Sequence, residues 1–261
     1  MKIVDSHCHA GLSWFEPVEM LVRQMESNDV DHGVLIQHRG VYDNSYLFDC
    51  VERFPGRFSV VAMVDVADGN ASAELERWAG AGATGVRLAP VVRSPGTDPL
   101  AIWRKAAELG LAVSSLGTLE EFAAPEFAVL VAELSDLTVV VEHLAGAGYG
   151  SEPPYSAFRG AMELSRYDNT YIKVGGLGEI SMRPDVLRSE FGFDNTPALI
   201  EMAYEAFGPR RMMWGSDYPP VSNREGYGNA LRGIVEHPVL KGEADREWVM
   251  GKTAEKVFGT G

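Results

Sequence analysis

Eight short and nearly continuous apolar runs, separated by amphipathic stretches, constrain this chain more than any other feature. They cover residues 2–7, 33–37, 58–64, 84–88, 111–116, 137–142, 170–174 and 211–215. A strand with one wet face alternates apolar and polar residues. Runs such as Ser59-Val60-Val61-Ala62-Met63-Val64 and Thr138-Val139-Val140-Val141 do not alternate. They suit a parallel sheet covered on both faces, which requires a crossover between each strand and the next.

The intervening stretches carry helical spacing. Residues 17–27 place Val18, Leu21, Val22 and Met25 on one stripe. Residues 43–54 form another helix, and residues 71–79 a third, with Asn70 as its expected N-cap. Asp98-Pro99 opens a helix that Gly110 closes, and Asn195-Thr196-Pro197 opens one that runs to Phe207 and stops at Gly208-Pro209. A last helix spans 244–258, with Trp248, Val249 and Val257 for packing. Eight strands alternating with helices within 261 residues predict a (β/α)8 TIM barrel forming one domain over residues 1–261. A doubly wound open sheet usually has fewer strands, and no Gly-x-Gly-x-x-Gly follows an early strand. The longest irregular stretches, 175–195 and 218–228, follow strands seven and eight. They fall at the C-terminal mouth, where a barrel builds its active site.

Composition narrows the partners. The formal net charge is −14, which argues against nucleic acid or an anionic membrane surface. Two cysteines, Cys8 and Cys50, make neither a disulfide framework nor a zinc motif and read as reduced thiols. There is no basic-then-apolar leader and no apolar run of membrane-spanning length. The expectation is a soluble cytoplasmic protein acting on a small molecule, with assembly into a homo-oligomer left open.

In such a barrel the ends of the strands converge. Strand one delivers Asp5-Ser6-His7-Cys8-His9, in which strand alternation places Asp5, His7 and His9 on one face. Strand four brings Arg87, strand six Glu142 and His143, strand eight Ser216-Asp217-Tyr218. Imidazoles and carboxylates at the end of apolar strands are costly to bury unless a metal or a substrate satisfies them. Glu142 is expected to alternate away from the pocket if His143 points in. Lys173, within strand seven, needs a buried partner or a substrate. Trp214 is expected to pack barrel against helix.

The ordered set Asp5-x-His7-x-His9, Gly85-Val86-Arg87-Leu88, Glu142-His143-Leu144-x-Gly146, Tyr171-Ile172-Lys173-x-Gly175-Gly176 and Met213-Trp214-Gly215-Ser216-Asp217-Tyr218-Pro219 resembles the amidohydrolase superfamily. It is most similar to the amidohydrolase-related branch, which holds lactonases and non-oxidative decarboxylases. The likeness spans the chain, and the tail Gly251-Lys252-Thr253-Ala254-Glu255-Lys256-Val257-Phe258 resembles that branch's closing helix.

The resemblance implies that His7, His9 and Asp217 hold a divalent metal or the substrate. It implies that Asp217 is the general base, and that His143 is a further ligand or polarises the scissile carbonyl. One metal, zinc or manganese, would then occupy the site. Two departures bear on this. Strand five ends Ser114-Ser115-Leu116 where metal-dependent relatives carry a histidine, and strand four offers Arg87 in place of a bridging lysine. A two-metal site is therefore not expected. Arg87, whose fork fits a carboxylate, His38 after strand two and Tyr218 after strand eight are expected substrate contacts, with Arg183 and Arg224 nearby in the mouth loops. The first expectation is hydrolysis of a lactone or related ester of a small carboxylic or sugar acid, by water that Asp217 activates. The alternatives are a metal-dependent decarboxylase of a small aromatic or unsaturated acid and an inert barrel that binds a small acid.

Overall fold

The computed structural model describes residues 1–187, 192–193 and 196–259. Eight strands form one parallel sheet in sequence order: β1 Val4–Cys8, β2 His32–Ile36, β3 Phe58–Ala62, β4 Gly85–Leu88, β5 Ala112–Ser115, β6 Val139–Val141, β7 Thr170–Val174 and β8 Met212–Trp214. Each falls within a residue or so of an expected apolar run or inside it, and helices lie between them. The molecule is a (β/α)8 TIM barrel. Closure is made just beyond β8, where Cys8 and Tyr218 form a parallel bridge. Asp217 N–H donates to His7 O and His9 N–H to Tyr218 O, both at 2.8 Å.

The interior is layered. Val4, Val34, Val61, Ala112, Val140 and Met213 meet the closing residues Ala254 and Phe258 at the bottom. Above them lie the polar side chains of Arg87, Ser114, Glu142 and Lys173, all buried. The Lys173 ammonium sits 5.4 Å over the Phe258 ring. Outside the sheet a single larger cluster holds the apolar stripes of the helices, including Val18, Leu21, Val22 and Met25 from helix Val18–Ser27. Trp214 packs there, 5.9 Å from Tyr227, as expected of a barrel-to-helix contact. Cys8 and Cys50 are buried free thiols.

Three local expectations differ. Asn70 precedes helix Ala71–Gly80 but its side chain makes no cap bond, the turn before it being held instead by Asp68 Oδ1 accepting Asn70 N–H at 2.8 Å. The helix after 196 begins at Leu199, and Asn195 lies outside the described residues. In β1 the register shifts between Asp5 and Cys8. Strict alternation is lost there, so Asp5 does not share a face with His7. Among the described residues no helix is long and apolar enough to cross a membrane.

Candidate active site

The β1 irregularity divides the labour of the opening motif. Asp5 turns to the helix layer, where its carboxylate accepts from Tyr227 Oη (2.9 Å), Ser216 Oγ (2.6 Å) and Ser216 N–H (2.8 Å). Burial pushes its carboxyl up to about 6 against these bonds. Asp5 thus ties the residue before Asp217 to β1. His7 and His9 face the mouth, with ring centroids 4.9 Å apart.

The two imidazoles are oriented differently. His9 Nδ1 lies 2.7 Å from Ile36 O. A carbonyl only accepts, so Nδ1 carries a proton, and this bond aims Nε2 at the mouth. That Nε2 is 3.6 Å from Asp217 Oδ1. His7 Nδ1 faces Lys173 Nζ at 3.2 Å and Glu142 Oε1 at 3.7 Å. Its Nε2 is buried without a partner, 3.9 Å from Asp217 Oδ1. Burial, then the charges of Lys173 and His143, hold His7 well below the ordinary histidine value, so it is neutral.

Asp217 sits at φ 57, a left-handed conformation, which aspartate tolerates better than most side chains. Gly215 makes this approach possible: a Cβ there would stand 2.6 Å from His7 Cβ. Burial pushes the Asp217 carboxyl up, but the hydrogen bond from His9 and the charges of His143, His9 and Arg224 outweigh it and hold it below its usual value. Arg224 Nη1 donates to Asp217 Oδ2 at 2.8 Å.

His143 reaches the site by breaking the strand pattern. Val140 faces the interior, so alternation turns Glu142 inward too. The expectation that Glu142 points away is therefore corrected. It accepts from Ser114 Oγ (2.6 Å) and from Nε and Nη2 of Arg87 (3.2 and 2.8 Å). Alternation would send His143 outward, but His143, Leu144 and Ala145 all take positive φ, 51, 47 and 59°, followed by Gly146 at 78°. This left-handed turn costs about 1–2 kcal/mol for each non-glycine residue and swings the imidazole back to the mouth. Its ring centroid lies 4.5 Å from that of His7. Glu179 Oε1, from helix Leu177–Ile180, meets His143 Nδ1 at 2.5 Å. Burial alone would push His143 down. The charge and hydrogen bond of Glu179, with Asp217 and Glu142, raise it to about 9.

The expected substrate contacts fare unequally. His38 lies beside the site, stacked on His9 at 5.3 Å with Phe15 at 4.0 Å on it. Arg87 does not present a free fork: it is bidentate on Glu142 and gives its remaining nitrogen to Gln37 O at 3.1 Å. Tyr218 is 2% exposed, its hydroxyl on Glu16 and its ring against Tyr227. Arg183 is exposed. Glu179 went unread because it lies in an irregular stretch whose register only the fold supplies.

His7, His9 and Asp217 can hold a metal ion, with candidate ligand atoms all within 4.8 Å of one another. His9 Nε2, aimed at Asp217, and the unpartnered His7 Nε2 fit that role, and three protein ligands leave a position open.

A family model described as amidohydrolase matches residues 6–260, and the chain belongs to that family. No curated protein matches it. Solved structures similar to it include a probable 2-pyrone-4,6-dicarboxylic acid hydrolase from Acinetobacter baumannii with citric acid bound (18% identity, TM-score 0.77, 99% of this chain and 100% of that one). An amidohydrolase from Burkholderia multivorans with bound zinc gives 18%, 0.78 and 99% of both chains. The 5-carboxyvanillate decarboxylase of Sphingomonas paucimobilis gives 15%, 0.68 and 99% of both. At these identities the likeness is one of fold.

Proposed function

We propose that the protein hydrolyses a lactone or related ester of a small carboxylic or sugar acid. The observation that carries this reading is a base and an acid facing one pocket: Asp217 held ionised beside His7 and His9, and His143 held protonated by Glu179. Asp217 takes a proton from water as the water oxygen attacks the acyl carbon. The developing oxyanion is stabilised by the His143 imidazolium and, when His7 is not ligating an ion, by His7 Nε2–H. As the intermediate collapses, the acyl–oxygen bond of the ring breaks and Asp217 returns the proton to the leaving alkoxide. Residues His7, His9 and Asp217 would hold a divalent ion, zinc or manganese, which when bound polarises the carbonyl and acidifies water. Arg224 keeps Asp217 aimed.

The test is a panel of lactones and small aromatic acids, assayed by acid release and by carbon dioxide release, with and without added zinc or manganese. Acid release without gas, reduced by about 100-fold or more in Asp217→Asn, is expected. Gas release with a metal requirement would select the decarboxylase. Unchanged turnover in Asp217→Asn would remove Asp217 as the base.

A further inference from the structure

A second cavity adjoins the site and has no part in the chemistry just described. It has a volume of about 260 Å3 and lies between the loops that follow β1 and β2. Leu12, Trp14, Val41, Tyr46 and Leu47 line it, and the His38 ring forms its wall toward His9. Its lining includes no lysine or arginine. The one carboxylate there, Asp43, is occupied with the Ser45 hydroxyl and N–H at 2.6 and 3.0 Å. Leu12 and Trp14 are 73% and 81% exposed, unusual for side chains of this size, and both stand at this opening.

The cations of the adjoining site are paired, and Arg39, in the loop after β2, is exposed and outside the cavity lining. Arg87 is bound to Glu142, Arg224 to Asp217, and Lys173 lies beneath His7. A carboxylate seated against this lining would lose water and find no counter-charge among the side chains it touches, which costs several kcal/mol. An alkyl or aryl group would instead cover the exposed indole and leucine, a gain that grows with buried apolar area.

We propose that this cavity is a substrate subsite that takes an uncharged, largely apolar substituent carried next to the scissile carbonyl. The substrate class that follows is an electrically neutral lactone bearing an alkyl or aryl arm, not a ring carrying a free carboxylate on that side. The proposal deepens the lactonase reading and rests on it for the reaction, though not for binding. Continuity carries the placement: Ala10 and Gly11, which line the cavity, directly follow His9.

Three δ-lactones test it: unsubstituted, pentyl-substituted and carboxyethyl-substituted at the ring carbon next to the carbonyl. The pentyl compound is expected to exceed both others in kcat/KM by about tenfold or more. In Val41→Trp, which fills the cavity, the pentyl-to-unsubstituted ratio falls toward one. A preference for the carboxyethyl compound, or a ratio unchanged in Val41→Trp, overturns the proposal. If no lactone is hydrolysed, the reaction reading fails and the cavity is tested alone, by saturation-transfer NMR with 4-propylphenol and 4-propylbenzoate. Binding of the phenol that is lost in Val41→Trp supports the subsite. Preference for the benzoate, or binding of neither, overturns it.

Discussion

Nζ of Lys173 lies 3.2 Å from Nδ1 of His7 and 2.8 Å from Oγ of Ser114. An ammonium has no acceptor, so Nδ1 receives the bond and the neutral His7 ring carries its own proton on Nε2. The two strand-one histidines are then held in opposite ways at Nδ1: His9 donates from it to Ile36 O, whereas His7 accepts there and turns an Nε2–H to the site. As a donor His7 serves an oxyanion directly. As a metal ligand it must first take the other tautomer, with Lys173 surrendering a proton. Burial already lowers that proton's pKa to about 8 against the pull of Glu142.

Replacing Lys173 by methionine removes the donor and leaves Glu142 Oε1, 3.7 Å from His7 Nδ1, to accept from it. A carboxylate behind a ligating histidine strengthens metal binding. Lys173→Met is expected to bind zinc about 10-fold more tightly, measured by competition with a chromophoric chelator. Affinity equal to or weaker than wild type would contradict the tautomer assignment.

The His143–Glu179 pair sets an alkaline limit. The folded pKa of about 9 lies above the ordinary 6.5. The stabilisation this pair gives is therefore complete below 6.5 and is lost as pH rises through about 9. The same window governs activity if the imidazolium holds the oxyanion: kcat/KM should fall through about pH 9. Glu179→Gln should shift that limb toward 6.5 and flatten the loss of urea stability between pH 6 and 10. A limb that stays in place would assign the titration to another group.

Arg87 should report in stability. Arg87→Met leaves Glu142 buried and charged, with burial opposing its depressed pKa of about 2 and, of the cations, only Lys173 and His143 left to support it. A loss of about 3–5 kcal/mol in urea unfolding is expected, partly restored by Glu142→Gln in the same chain. A stable Arg87→Met whose defect is confined to KM would return Arg87 to a substrate role.

Gly215→Ala forces a Cβ to within 2.6 Å of His7 Cβ. β1 and β8 must separate, at about 1–3 kcal/mol, and Asp217 moves away from both imidazoles. A drop in turnover of about 100-fold is expected, larger than the fall in thermal midpoint alone explains. Wild-type kinetics in this variant would show that the seam has slack.

Most of the barrel was legible because both-face burial writes itself as unbroken apolar runs, as in Val139–Val141, and needs no long-range information. The rim was legible in part. His7, His9, His143 and Asp217 do converge, and their identities were carried by local motifs. What failed depended on backbone irregularity or on partners far along the chain. The register shift in β1 moved Asp5 to the helix layer, and the left-handed turn at His143 brought its ring to the mouth while Glu142 faces inward by alternation, where an unbroken strand would admit only one of the two. Arg87 looked available only because its partner, Glu142, lies two strands away. Glu179 depends on how the chain after β7 doubles back, which no periodicity records.

The bonds that close the barrel, Asp217 N–H to His7 O and His9 N–H to Tyr218 O, are also those that bring base and imidazoles together. The site therefore straddles the seam between the first and the eighth strand of the barrel. Seven strands with their helices hold the imidazoles of β1 but leave them without their carboxylate, so barrel closure and catalytic competence are one event rather than two.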